Sequence, residues 1–326
     1  MKTRSELFLV VGLSAAFLLP FSCASGVDEI DPVYRQYMRE FVQDISGYAK
    51  NLDPDFFIIP QNGQELFAMS PGIPGSELAT EYLNAIDGSG REDLFYGYSA
   101  DNTATPGTVS DYLVEYLNVA KQQGVSVLVT DYCSSAEKIS DSYARNSELG
   151  YVSFAATHRE LDNIPAGTVF GSHVGTVNHL SDVRNFLYLI NPSGFSGASD
   201  MISAIADTNY DLVLLDLFFD DTALNSAQLD AMRTKENGGQ RLLIAYMSIG
   251  EAEDYRWYWQ PGWTTNPPGW LSAENENWEG NYYVEYWNDD WQALIYGSPE
   301  AYLDRIMAAG FDGVYLDIIE GYEYFE

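Results

Sequence analysis

The stretch GFDGVYLDIIEGYEYF, residues 310–325, decides how we interpret the fold of this chain. It predicts a helix that ends at Gly310, followed by a strand of the apolar and aromatic composition typical of strands buried on both faces. Asp317 lies near the carboxyl end of that strand, and Glu320 and Glu323 follow it. A carboxylate in such an apolar run is costly to bury unless it is paired or used in chemistry. The alternative interpretation of Asp317 is a helix N-cap, since Asp caps helices well.

The same pattern recurs along the chain, where strand-like segments alternate with segments of helical periodicity. Eight strands are expected, at residues 55–60, 84–93, 125–131, 151–156, 186–190, 210–217, 241–249 and 312–318. Helices are expected at residues 32–52, 109–123, 136–149, 198–206, 223–235 and 298–309. This alternation indicates an α/β domain with a parallel sheet, and eight βα units predict a (β/α)8 TIM barrel. An open, doubly wound sheet is the structural alternative.

Catalytic residues of a (β/α)8 barrel lie at the carboxyl ends of its strands. The residues expected at that rim are Gln61, Glu92, Asp131, Asp216, Glu251 and Asp317. Glycoside hydrolysis needs two carboxyl groups, and we take Asp317 and Glu92 as the candidates, with the other acids as neighbours. A magnesium or calcium site formed by Asp216, Glu251 and Asp317 is a further alternative, but no ligand-spacing motif supports it.

All seven tryptophans lie between Trp257 and Trp291. Aromatic rings with a polar edge stack on the apolar faces of sugars and leave the sugar hydroxyls free for hydrogen bonds. We therefore expect some of these rings to bind sugar. The alternative is a self-packed lid over one end of the barrel, and several of the rings are expected to be structural.

Composition excludes several functional classes. The chain has 326 residues, with 16 Lys and Arg against 48 Asp and Glu, and a formal net charge of -32. That balance argues against binding nucleic acid or anionic membranes through a basic patch, and it suits a neutral or cationic ligand. No P-loop occurs, no GxGxxG follows a first strand, and no GxSxG is present. We expect no cofactor, no metal and a monomeric protein.

The N-terminus predicts export. Lys2 and Arg4 precede an apolar run at residues 7–19, which fits a signal peptide at residues 1–23. Cys23 follows a small residue and is a candidate for lipidation, with ordinary cleavage near residue 24 as the alternative. Residues 24–31 are expected to be a linker, and residues 32–326 a single domain. The predicted location is extracellular or the cell envelope, with membrane anchoring if Cys23 carries lipid.

Several blocks resemble a known family. They are LIAYMSIGEAEDYR (243–256), GFDGVYLDIIEGYEYF (310–325), FIIPQNG (57–63), IDGSGREDLFYG (86–97) and VLVTDY (127–132). The group they resemble comprises bacterial and archaeal extracellular polysaccharide hydrolases related to the endo-α-1,4-polygalactosaminidases of glycoside hydrolase family 114. The resemblance implies a (β/α)8 barrel and a catalytic acid pair carried by Asp317 and, less firmly, by Glu92. Glu251 competes for the second role.

The order of these blocks departs from the family. The blocks at 243–256 and 310–325 come first in the family, whereas here they follow those at 57–63 and 86–97. This order predicts a circularly permuted barrel in which residues 158–182 connect the two halves. A barrel tolerates such a cut because its ends are adjacent. A truncated or misassembled reading frame is the alternative.

The function expected from the sequence is hydrolysis of an α-linked, galactosamine-containing polysaccharide. Glu92 would be the general acid/base and Asp317 the nucleophile, or the two roles would be exchanged. The residues expected to line the glycone side are Gln61, Asp131, Asp216, Tyr246, Ser248 and Glu251. Arg256 and rings such as Trp257 would bind neighbouring sugars. A non-catalytic carbohydrate-binding surface protein is the alternative, as is a metal-dependent hydrolase of another substrate.

Overall fold

The structure is a computed structural model, and it describes residues 32–326 of the chain. The predicted signal peptide, the lipidation site at Cys23 and the linker lie outside the described residues. Within 32–326, none of the helices has the length and apolar composition needed to cross a membrane.

Eight strands form two parallel sheets at the centre of the molecule. The strands of the larger sheet are β1 (Phe57–Pro60), β5 (Phe186–Leu189), β6 (Leu212–Leu215), β9 (Leu242–Ser248) and β13 (Gly313–Asp317). Their order is β1-β13-β9-β6-β5. The smaller sheet contains β2 (Gly88–Glu92), β3 (Ser126–Tyr132) and β4 (Val152–Ala156), in that order. All pairings within both sheets are parallel, which confirms the predicted α/β class.

The two sheets adjoin each other on both sides. Gln61, directly after β1, forms a parallel bridge with Gly90 of β2. The backbone N–H of Asn62 donates to the Gly90 carbonyl at 2.9 Å. On the other side, Phe154 of β4 packs against Phe186 of β5, with ring centroids 5.8 Å apart. The two sheets are therefore in contact through β1 and β2 on one side and through β4 and β5 on the other.

Helices cover the outer faces of the sheets. They are α1 (Pro32–Leu52), α2 (Thr80–Ala85), α3 (Gly107–Gln122), α4 (Ala136–Leu149), α5 (Ala198–Ala206), α6 (Ser226–Arg233), α7 (Asp289–Ile295) and α8 (Tyr302–Ala309). The predicted helices are all present. Gly150 and Gly310 end α4 and α8 in the left-handed conformation, with φ of 67° and 101°. The strand expected from residue 84 begins only at Gly88, because α2 occupies the residues before it.

The tryptophan-rich segment and the residues just before it contain a small antiparallel sheet. Its strands are β10 (Glu251–Glu253), β11 (Leu271–Glu274) and β12 (Asn281–Val284), in the order β10-β12-β11. A short hairpin of β7 (Phe218–Phe219) and β8 (Thr222–Ala223) lies after β6. Tyr282 and Tyr283 face Ala252 and Glu251 across the β10–β12 pair, so cross-strand pairing orders the segment that starts at the end of β9.

The first and last strands along the chain are neighbours. Pro60 of β1 pairs with Leu316 of β13 in parallel register. Helix α1 lies beside this junction, and Arg35 of α1 forms a 2.8 Å ion pair with Glu326. The helix that precedes β1 therefore contacts the segment that follows β13.

Candidate active site

Asp317 is the last residue of β13, and its side chain is partly exposed. The Tyr246 hydroxyl, on the neighbouring strand β9, donates a 2.7 Å hydrogen bond to its carboxylate. Burial, together with the negative charge of Glu92, raises the pKa of Asp317 to about 7. Asp317 therefore changes its charge near neutral pH, as groups that accept or donate protons in enzymes do.

Glu92 is the last residue of β2, at the same end of the sheets. Its carboxylate accepts hydrogen bonds from the side chains of Gln61 and Tyr132. A third donor, the Asn62 side-chain amide, lies 3.4 Å away. The position of Glu92 is thus fixed by residues from β1 and β3, the strands on either side of β2.

Gln61 separates the two carboxyl groups. Its backbone N–H donates to Leu316 of β13 at 2.8 Å, and its side-chain amide donates to Glu92. Its side-chain oxygen accepts a 2.8 Å bond from Tyr188. Neighbouring strands lie about 4.8 Å apart, so Asp317 and Glu92 extend from strands roughly 10 Å apart, across Gln61. The structure thereby brings together four residues predicted from the sequence, namely Gln61, Glu92, Tyr246 and Asp317.

A third carboxyl group, Glu320, lies beside this pair. It follows the left-handed residue Ile318, whose φ is 59°. One Glu320 oxygen accepts a 3.2 Å bond from the Asn62 amide, while the other is buried and has no hydrogen-bond partner within residues 32–326. Burial, followed by the charge of Asp317, raises the pKa of Glu320 to about 8. We call Asp317, Glu92 and Glu320 the acid cluster.

Arg256 connects two further acids next to this cluster. Its guanidinium forms ion pairs with Asp216 at 2.9 Å and with Glu253 at 2.5 Å, and Tyr255 also bonds Glu253. Burial raises the pKa of Asp216, whereas the charge of Arg256 opposes that rise. A small pocket of about 160 Å³ opens here. Its walls are Phe218, Asp220, Asp221, Tyr255, Arg256 and Trp257.

Glu251 begins β10 and lies close to the acid cluster. Asn275 donates a 2.7 Å hydrogen bond to it, and the Ser248 hydroxyl donates to its backbone carbonyl at 3.1 Å. Burial raises the pKa of Glu251 to about 7, and the charge of Asp317 contributes to the rise. Ser248 is also the register partner of Asp317 in the parallel sheet. Both predicted residues therefore adjoin Asp317.

Asp131 is the one predicted residue that the structure sets apart. Its side chain is buried, with no exposed surface. The carboxylate accepts four hydrogen bonds, from the backbone N–H groups of Phe95 and Tyr96 and from the side chains of Ser142 and Asn146. These donors join the loop after β2 to helix α4. Asp131 thus connects structural elements and presents no free oxygen to a ligand.

Most of the tryptophans pack against each other. Trp259, Trp263, Trp270 and Trp291 form a continuous chain with centroid separations of 5.1, 5.0 and 5.1 Å. Trp287 packs on Tyr34 of α1, at 5.2 Å. Trp257, by contrast, stacks on Phe218 and forms a wall of the pocket beside Arg256. Most of the tryptophan rings therefore pack within the protein, as the alternative of a self-packed segment predicted.

Several residues of the site were not predicted, among them Tyr132 and Tyr188, which bond Glu92 and Gln61, and Glu253, which pairs with Arg256. Gly90 was one sequence feature that could have indicated how the side chains pack inside this site. A Cβ on Gly90 would lie 1.8 Å from the Tyr315 hydroxyl, so this strand position must lack a side chain. A glycine in a strand interior can therefore indicate an aromatic ring that faces it.

The histidines, cysteines and acids of the described part of the chain include no group of three or more that could hold a metal ion.

Comparison with known proteins relates one part of the chain to a family. The profile of glycoside-hydrolase family GH114 matches residues 195–326, which contain Asp216, Glu251 and Asp317 but not Glu92. An uncharacterized protein of Methanocaldococcus jannaschii is 43% identical over 123 residues, which cover 38% of this chain and 34% of the relative. One from Deinococcus radiodurans is 42% identical over 122 residues, covering 37% of each chain.

A third uncharacterized protein, from Thermotoga maritima, is 36% identical over 120 residues, covering 37% of this chain and 36% of the relative. The chain thus spans about a third of the length of the curated relatives that it matches. Through residues 195–326, this chain is related to glycoside hydrolase family GH114.

Proposed function

We propose that this protein is a glycoside hydrolase that cleaves a polysaccharide with the carboxyl pair Asp317 and Glu92. The observation that carries the proposal is the position of both acids at strand ends on either side of Gln61, which bonds β13 through its backbone and Glu92 through its side chain. The charge of Glu92 raises the pKa of Asp317, although Asp317 also accepts a hydrogen bond from Tyr246. The family relation of residues 195–326 supplies the reaction class, and the strand-end position of both acids suits it.

The coupling suggests how the two acids share their work. The charge of Glu92 disfavours ionisation of Asp317, so the coupling suits a pair that holds one proton between its two acids. Cleavage requires one acid of the pair to be protonated, so that it can protonate the leaving oxygen, and the other to be ionised, so that it can attack the anomeric carbon or activate water.

The strand arrangement supports the proposal of a closed, circularly permuted (β/α)8 barrel. Parallel pairing of β13 with β1, and the position of α1 beside that junction, match the geometry of one βαβ unit whose strands come from opposite ends of the chain. The bridge at Gln61 and the contact of Phe154 with Phe186 bring the two sheets together on both sides.

We further propose that the substrate is an α-linked polymer containing galactosamine and that the enzyme acts outside the cell. A formal charge of -32 suits a polymer with free amino groups. Trp257 and the acids paired with Arg256 would then contact sugars next to the cleaved bond. Export by residues 1–23 and lipidation at Cys23 are part of this proposal.

The test is release of reducing ends from galactosamine polymers by purified protein. Asp317→Asn and Glu92→Gln should each lower kcat by roughly 10³-fold or more, as losses of catalytic carboxyl groups do. Asp312→Asn is the matched control, because Asp312 lies just before the other end of β13 and pairs with Arg233 at 2.7 Å. It should retain activity.

An Asp317→Asn variant with the wild-type rate would overturn the assignment. A different result would support the non-catalytic carbohydrate-binding alternative. In that case the wild type would release no reducing ends, and both variants would still bind oligosaccharides.

A further inference from the structure

We propose that Arg159 is a positioning residue that holds Glu92 through the ring of Tyr132. Arg159 follows β4 and lies in the segment 158–182, which the sequence suggested to be a connector between two halves. The inference rests on the proposed role of Glu92 in hydrolysis. The segment 158–182 would then contribute a residue that orients a catalytic group.

The three side chains form a direct series of contacts. The guanidinium carbon of Arg159 lies 3.9 Å from the centroid of the Tyr132 ring. The hydroxyl of the same ring donates a hydrogen bond to the Glu92 carboxylate. Tyr132 is buried and ends β3, so its ring has Arg159 against one face and Glu92 at its polar end. A cation on the ring face restricts the orientation of the ring and hence the direction of its hydroxyl.

Arg159 is itself held on several sides. Its guanidinium pairs with Asp93 at 3.1 Å and with Asp101 at 2.6 Å, and it donates to the Gly97 carbonyl at 2.8 Å. Such a fork of fixed donors is a property of arginine that lysine does not share. The side chain is 13% exposed, which limits the screening of these ion pairs by water.

The backbone after Glu92 is shaped to admit this arginine. Asp93 has a φ of 57°, which is unusual for a residue with a side chain. Gly97 has a φ of 120°, and a Cβ there would lie 1.9 Å from the Asp93 carboxylate and 2.9 Å from the Arg159 guanidinium. The loop therefore leaves the space that the Asp93–Arg159 pair fills. Because Asp93 directly follows Glu92, the pair also fixes the backbone that carries Glu92.

This arrangement separates positioning from substrate binding. Arg159 touches Tyr132, Asp93, Asp101 and the loop at Gly97 but is not among the side chains that contact Glu92. Loss of Arg159 should therefore lower the rate of the chemical step while leaving the affinity for the polymer nearly unchanged. A merely structural arginine would instead lower stability and leave kcat intact.

The kinetic test compares Arg159→Met, Arg159→Lys and wild type. Arg159→Met should lower kcat about 10- to 50-fold with KM changed less than about twofold, since small misplacement of a catalytic group costs rate. Arg159→Lys keeps the positive charge but lacks the fork of donors, so it should recover only part of the rate. Arg233→Met is the control, because Arg233 forms a comparable ion pair with Asp312 outside the site. It should lower the thermal midpoint without lowering kcat.

A double-mutant cycle shows whether Arg159 acts through Tyr132. Tyr132→Phe removes only the hydroxyl that bonds Glu92, and adding Arg159→Met to it should cost little further rate. Additive losses in kcat would overturn the proposed connection, as would a wild-type kcat in a folded Arg159→Met variant.

A crystal structure of Arg159→Met tests the positioning without any substrate. The Tyr132 ring should rotate and its hydrogen bond to Glu92 should be lost, whereas Arg233→Met should keep the wild-type orientation of the ring and the hydrogen bond. An unchanged Tyr132–Glu92 bond in Arg159→Met would overturn the proposal. If the wild type cleaves no polysaccharide, the proposed hydrolase function fails, but this structural comparison still decides whether Arg159 positions Glu92.

Discussion

Tyr246 and Asp317 are joined by a 2.7 Å hydrogen bond between neighbouring parallel strands. Tyr246 is the register partner of Tyr315, two residues before Asp317, so its side chain reaches along the sheet toward the strand end. The hydroxyl stabilises the ionised carboxylate, whereas burial and the charge of Glu92 oppose ionisation. The Tyr246 hydrogen bond is therefore one of the interactions that set the protonation of Asp317 near neutral pH.

Replacing Tyr246 with Phe should shift the activity profile to higher pH. The bond lowers the pKa of Asp317, which burial has raised to about 7, and its loss lets that pKa rise further. If Asp317 must be ionised to attack, the rising limb of kcat against pH should move up by about one unit. At pH 6.5 the variant should be roughly 10-fold slower. The measurement is reducing-end release between pH 5 and 9.

Tyr151→Phe is the control for this change. Tyr151 lies just before β4, at the amino end of that strand and away from the acid cluster. Its hydroxyl donates a 2.9 Å hydrogen bond to the Asn118 side chain. Its pH profile should match that of the wild type. A Tyr246→Phe profile that is lowered at all pH values without a shift would contradict the link between the hydrogen bond and Asp317 ionisation.

The acid cluster should make the protein less stable as pH rises. The pKa values of Asp317 and Glu320 are raised to about 7 and 8, above those of unfolded Asp and Glu near 4. Between about pH 4 and 8 the folded state therefore binds more protons than the unfolded state. This contribution to the free energy of unfolding is fully present below about pH 4 and is lost as the pH rises through the folded pKa values of about 7 and 8.

Asp317→Asn removes one of these groups and should flatten that dependence. At pH 8 the variant should be roughly 1–3 kcal/mol more stable than wild type, and at pH 4.5 the difference should nearly vanish. Urea denaturation at the two pH values measures both. Glu115→Gln, at an exposed position on α3, is the control and should leave the pH dependence unchanged. If Asp317→Asn were less stable than wild type at pH 8, the predicted loss of stability with rising pH would be wrong.

Asp131 should matter for stability and not for catalysis. Its buried carboxylate accepts four hydrogen bonds, and Asp131→Ala would leave the Ser142 and Asn146 side chains without that acceptor. The free energy of unfolding should fall by roughly 2–5 kcal/mol, as for other buried polar networks. At a temperature where the variant is folded, kcat/KM should stay within about threefold of wild type. A loss of activity without a loss of stability would show that Asp131 acts in the active site and not in the packing of the fold.

The course of the chain was largely predictable because each strand and helix carries a local signal. The apolar runs that give β13 and β9 their buried faces are visible in the sequence, and glycines such as Gly150 and Gly310 mark helix ends. The position of Asp317 and Glu92 at strand ends follows from the same pattern. Segments where tertiary pairing decides the structure were harder. The β10–β12 pair is formed by residues about 30 positions apart, as in the register of Glu251 with Tyr283.

Side-chain partners were the least predictable part of the site. Asp131 and Asp317 both end strands in the sequence, yet one is closed off by four donors and the other accepts a bond from Tyr246 in a partly open position. That difference arises from which side of the strand each residue faces and from the helix packed there. Arg159 contacts Tyr132 only because the loop after β4 folds back over β3, which no local pattern records.

The tryptophans should separate into binding and structural groups, and Trp257 and Trp291 test this division. Trp257 forms a wall of the pocket beside Arg256, whereas Trp291 is fully buried and donates a 2.9 Å hydrogen bond to the Ile249 carbonyl. Trp291→Ala should cost roughly 3–5 kcal/mol of unfolding free energy through the cavity that it leaves. Trp257→Ala should cost less stability but weaken polymer binding by roughly 10-fold, since a stacked ring contributes on the order of 1 kcal/mol. Calorimetric titration with oligosaccharides and urea denaturation of both variants measure the two effects. Equal binding by Trp257→Ala and wild type would show that the sugars contact other parts of the cleft.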